Sequence, residues 1–130
     1  MKYNTSLIAL ATVALGLAAT STAFAAGRHD HSPKFGGIVA EGKAFDAELV
    51  AKPDLITVHV SDHGKPMKTK DARGKITLLT GSDKTEFELM PTGDSRMEAK
   101  GKFSVAKGTK VVVEITLKGR KPSALRFEMK

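Results

Sequence analysis

The sequence predicts an all-β domain, and three observations carry that prediction. Beyond residue 36, apolar residues recur with period two rather than 3.6. Breaks rich in Gly, Pro and Asp interrupt the alternation at short intervals. Over the same residues no stretch sustains the 3.6-residue apolar period of a helix. Seven or eight short strands, each with one apolar face, fit an immunoglobulin-like antiparallel β-sandwich, and a small barrel is the other arrangement open to them.

Residues 1–25 stand apart from this pattern. Lys2 is their only charge, an apolar run extends from Leu7 to Ala19, and Ala23-Phe24-Ala25 has the small-x-small form of a signal-peptidase site. The run is about thirteen residues, short of the roughly 20 that span a bilayer. A cleaved signal peptide over 1–25 is expected, with Ala26 as the first mature residue, export to the periplasm and no membrane span. Residues 26–35, AGRHDHSPKF, are mostly polar and lack an apolar period, which predicts a flexible arm ahead of a sandwich domain over 36–130.

The expected strands are Gly37–Glu41, Ala44–Ala51, Asp54–Ser61, Lys75–Gly81, Lys84–Met90, Ser95–Val105, Lys110–Lys118 and Ser123–Met129. Alternation assigns their faces. Ile56, Val58 and Val60 share one face of their strand, opposite Leu55, Thr57, His59 and Ser61. Val111, Val113, Ile115 and Leu117 form another inward set, as do Leu125, Phe127 and Met129. Turn chemistry stands between strands at Lys52-Pro53-Asp54, Gly64-Lys65-Pro66, Gly81-Ser82-Asp83, Pro91-Thr92-Gly93-Asp94, Lys107-Gly108 and Gly119-Arg120-Lys121-Pro122.

Composition narrows the function. The 130 residues carry 21 Lys+Arg against 14 Asp+Glu, a net charge of +7 that loss of Lys2 with the signal peptide reduces to +6. Tyr3 and Phe24 leave with that segment, so the mature domain has neither Tyr nor Trp and builds its core mainly from Val, Ile, Leu and Met. The absence of Cys excludes disulfides, thiolate catalysis and thiolate metal sites. Nucleic acid is a poor partner for an exported domain with so few stacking platforms.

The sequence contains no Gly-x-Ser-x-Gly elbow, no His-Glu-x-x-His pair, no phosphate-binding Gly-x4-Gly-Lys loop and no nucleotide fingerprint. The i,i+2 carboxylate pairs Asp46/Glu48 and Glu86/Glu88 fall on outward strand faces and read as solvated charge. No enzyme is expected.

The four histidines fall in two places. His29 and His31 flank Asp30 in the arm, a plausible chelating segment for copper or zinc and equally a soluble spacer. Cleavage one residue later would place His29 third, where the amine, two amides and the imidazole make a square-planar Cu(II) or Ni(II) site. Asp62, His63 and Met67 lie at a strand-to-turn junction, where imidazole with thioether suits copper; ordinary turn chemistry explains the same residues. His59 alternates with Val58 and Val60 and reads as an outward or rim histidine, whereas Met97 and Met129 read as core filler. Two basic connections, Lys65 to Lys75 and Lys118 to Lys121, offer surfaces for an acidic partner or for solvent.

The runs Phe35-Gly36-Gly37-Ile38-Val39-Ala40-Glu41, Phe45-Asp46-Ala47-Glu48-Leu49-Val50 and Ile56 to Pro66 resemble small periplasmic proteins that accompany heavy-metal efflux systems. They are also similar to a segment of the periplasmic adaptor subunits of resistance-nodulation-division metal exporters, with its His-Gly-Gly, Glu-Leu-Val and Asp-x-Gly-Lys-Pro elements. Gly74 to Leu78 and the final strands resemble immunoglobulin-like YtkA-type domains, so the likeness spans most of 36–129. Phe35 departs from the pattern by standing where its His precedes Gly-Gly.

The resemblance implies a Gram-negative periplasmic protein in metal handling, with an efflux adaptor or another envelope protein as partner. The expected function is accessory binding or delivery of copper or zinc. His29 and His31 capture the ion, and His63 with Met67 or Asp62 supplies a second site or completes the first. Affinity should then fall as pH drops through about 6.5. The alternative is a non-metal protein-interaction module that docks through its basic turns.

Overall fold

The structure is a computed structural model that describes residues 31–130. The expected signal peptide, the start of the arm and His29 lie outside the described residues.

Nine strands form in chain order: β1 (Ile38–Glu41), β2 (Asp46–Ala51), β3 (Leu55–Asp62), β4 (Lys65–Pro66), β5 (Arg73–Thr80), β6 (Asp83–Gly93), β7 (Arg96–Lys100), β8 (Lys110–Thr116) and β9 (Ser123–Glu128). All pairings are antiparallel, and no helix occurs among the described residues. The strands run in the order β1-β2-β3-β7-β6-β5-β8-β9, with β4 paired to β3.

Strand β6 joins the two layers. Its Asp83–Leu89 segment pairs with β5, whereas from Met90 onward it pairs with β7. The change falls just ahead of a register shift between Pro91 and Gly93. Pro91 has no N–H to offer a ladder, so a bend is where a strand tolerates it. At the far edges β1 returns beside β9, and the sandwich is nearly closed like a barrel. Both arrangements weighed from the sequence thus describe part of the same molecule.

The core follows the alternation. Ile56, Val58 and Val60 from β3 meet Val111, Val113 and Ile115 from β8, with Leu125 and Phe127 from β9. Met97 is fully buried and Met129 packs against the core from its edge, as their spacing predicts. Phe87 and Phe103 meet edge-to-face, with centroids 4.6 Å apart.

Most strand ends lie within three residues of the sequence reading, β6 running on through the expected Pro91 turn to Gly93, and two differences are larger in kind. The strand expected over Ser95–Val105 ends at Lys100, because a Cβ at Gly101 would lie 2.9 Å from the Phe87 ring and the backbone there turns to bond Asp54 and Pro53. The segment read only as a turn, Gly64-Lys65-Pro66, contributes β4. His63 (φ 47°) and Gly64 (φ 83°) are both left-handed, the geometry of a two-residue hairpin whose twist suits flanking strands.

Candidate functional site

The ladder of β1, β2, β3 and β7 sets Val39, Glu48, His59 and Arg96 side by side across one row. Glu41, Asp46 and Ser61 form the next row on the same face. Alternation makes this the outer face of the layer, since Ala47, Leu49, Val58 and Val60 point into the core.

Residues 34–37 fold back over that face and are held there by one carboxylate. Glu48 Oε2 accepts the Lys34 N–H, and Glu48 Oε1 accepts those of Phe35 and Gly37, each at 2.8 Å. Gly36 turns the chain with φ 74°, and Gly37 passes so close to the Leu49 carbonyl that any Cβ would collide with it. Lys34 Nζ also donates to the Gly64 carbonyl at 3.3 Å, tying the strap to the β3–β4 hairpin. Glu48 is consequently only 6% exposed. The solvated-charge reading of Asp46/Glu48 is corrected here, because an outward strand face is solvent-facing only where nothing crosses it.

The strap lays Phe35 on His59. Their rings stack with centroids 3.6 Å apart and planes 8° from parallel, while the outer side of Phe35 stays exposed. Burial is the largest influence on His59 and lowers its pKa below 6.5; Arg96 acts the same way, and Glu48 and Glu98 oppose them. His59 is therefore a neutral imidazole at pH 7. Beneath the strap lies a pocket of about 130 Å³ whose lining includes His31, Phe35, Glu48 and His59, with Val39 and Pro66 as apolar walls.

Each histidine read from the sequence has a defined place or lies outside the described residues. His31 is at the pocket, with Nδ1 2.6 Å from Glu41 Oε1. His63 sits at the tip of the β3–β4 hairpin, its Nε2 3.5 Å from Asp62 Oδ1 and its N–H donated to Asp46 Oδ2. Met67 follows the hairpin, donates its N–H to Val60 O and packs against the core. The fold thus gathers His31, His59 and the His63 hairpin at one end of the β1–β3 layer. Among the described residues, no three His, Cys, Asp or Glu side chains converge as a metal-holding group.

Sequence reasoning missed Glu48 and Phe35. The signal for both was the Gly36-Gly37 pair, which marks close backbone approach immediately after an isolated aromatic residue. Of the basic connection, Lys68, Lys70 and Arg73 are exposed, whereas Lys75 faces Glu86 at 3.9 Å. Among the described residues no helix is long and apolar enough to cross a membrane. Compared with protein-family models, curated proteins and solved structures, the chain matches none.

Proposed function

We propose that this protein is an exported accessory factor of heavy-metal handling, which binds copper or zinc through imidazoles in the periplasm and delivers the ion to an efflux system. One observation carries the reading: His31 from the arm and His59 from β3, remote in sequence, line one pocket. His59 is held in the neutral form that metals require, and copper and zinc are the ions that imidazole suits. The resemblance of 35–66 to proteins that accompany metal efflux supports the same assignment.

In this mechanism His29 and His31 capture the ion at the exposed arm, and His63, with Asp62 or Met67, offers the neighbouring station on the β3–β4 hairpin. Release follows from protonation or from transfer to a partner's ligands, because His31, Asp62 and His63 are exposed. Calorimetric titration with Cu(II), Zn(II) and, under reductant, Cu(I) tests the proposal. Saturable binding in the micromolar range or tighter at neutral pH is expected, lost near pH 5 and largely removed by replacing His29 and His31 with Ala. Unchanged affinity in that variant would overturn the arm's role.

A second reading, a protein-interaction module, is favoured by a different region. Met90 is 52% exposed and adjoins Pro91, and hollows around them are bordered by Lys68, Lys70 and Arg73 together with Asp71, Glu88 and Asp94. Docking of a partner through these charges would weaken with salt and survive removal of all four histidines.

A further inference from the structure

We propose that Met90 is a reversible oxidation site, at which hydrogen peroxide converts an exposed thioether to the sulfoxide without disturbing the fold. The site requires neither a metal nor a partner, so it goes beyond both readings above. Strand β6 is what turns this side chain outward. Leu89 is fully buried, and strand alternation sends the next residue to the opposite face. Across the ladder Met90 pairs with Glu98 of β7, whose neighbours Met97 and Ala99 point into the core. The sheet itself therefore presents Met90 to solvent.

The other methionines supply the contrast. Met1 lies outside the described residues. Met97 pairs with Pro91, one register along the same ladder, and is fully buried. Met67 and Met129 are half-buried against the core. Oxidation follows the access of the oxidant to sulfur, so a buried thioether reacts only when the chain opens around it. In the step itself a sulfur lone pair attacks one peroxide oxygen, the S–O bond forms as the O–O bond breaks, and the proton of the attacked oxygen leaves with the other as water. Sulfur loses two electrons and peroxide gains them. A methionine sulfoxide reductase reverses the change, removing the oxygen as water with two electrons from thiols. A sulfoxide at Met97 would put a polar group in the core, whereas at Met90 its oxygen faces water. What changes is the surface, where the apolar point among Asp71, Arg73 and Glu88 becomes polar.

The test treats the folded chain, as purified after export, with hydrogen peroxide and follows the oxygen gained at each methionine by peptide mass spectrometry, alongside Met90→Leu. Met90 is expected to oxidise at least about 10-fold faster than Met97 and ahead of Met67 and Met129. The singly oxidised chain should keep its unfolding midpoint and return to the starting mass with a methionine sulfoxide reductase and thiol reductant while still folded. In M90L the fast single-oxygen gain should vanish, with the slower ones unchanged. Equal rates at Met90 and Met97, or Met67 or Met129 oxidising first, would overturn the assignment of the site. A lowered midpoint on single oxidation, or reduction that succeeds only after unfolding, would overturn its reversibility in the native fold.

Discussion

Asp46/Glu48 on β2 and Glu86/Glu88 on β6 are the same pattern in sequence, two carboxylates at i,i+2 on an outward strand face, yet they do different work. Glu86 stays in solvent, 45% exposed, and faces Lys84 at 3.3 Å and Lys75 at 3.9 Å. Glu48 is covered by residues 34–37 and accepts the backbone N–H groups of Lys34, Phe35 and Gly37. Asp46 braces two turns by accepting the Gly42 and His63 N–H groups. The difference lies in what crosses the strand: an exposed ion pair has alternatives in water, whereas a covered carboxylate that organises a strap has none.

The largest effect expected from that difference is at Glu48. Glu48→Ala removes all three acceptors and leaves partly covered N–H groups unpaired, a loss of about 3 kcal/mol in denaturant unfolding. Amide exchange at 34, 35 and 37 should accelerate in the same variant, and unaltered protection there would contradict the strap.

Phe35→Ala should cost about 1 kcal/mol, the scale of an aromatic stack. It should also bring the His59 pKa back toward 6.5, because burial is the main cause of its lowering. The sign in the intact protein follows. Unfolded chains bind the His59 proton near 6.5 and the folded protein only at lower pH, so this contribution is fully present above 6.5 and is lost as pH falls through and below that value. An NMR titration of His59 with and without Phe35 checks both points. A His59 pKa that ignores Phe35 would show that the stack does not bury the ring.

At the small end, Glu86→Ala should change stability by no more than about 0.5 kcal/mol. A loss comparable to that at Glu48 would erase the distinction between the two pairs.

Much of the fold was legible because period two is a local signal. Ile56-Val58-Val60 and Val111-Val113-Ile115 declare their faces within a few residues, and these six are the centre of the core. The hairpin at His63-Gly64 was visible only as a turn, since β4 is two residues long and the sequence around Pro66 offers no alternation to count. The strap was illegible for a different reason. Its residues 34–37 have no period, and their partner Glu48 lies more than ten residues away, so the burial of that carboxylate is a tertiary fact. At the candidate site the individual histidines were legible, but their gathering was not. His31 and His59 meet one pocket only because β1, β2 and β3 are neighbours and the strap returns across them.

The central claim is that metal is taken up at the β1–β3 end of the sandwich, and a zinc titration followed through backbone amide resonances tests it most directly. The account predicts saturable shifts concentrated at residues 31–41 and 59–67, with β5, β8 and β9 unmoved. Shifts centred instead on Lys68–Arg73 and Met90, or no shift at any residue, would contradict it.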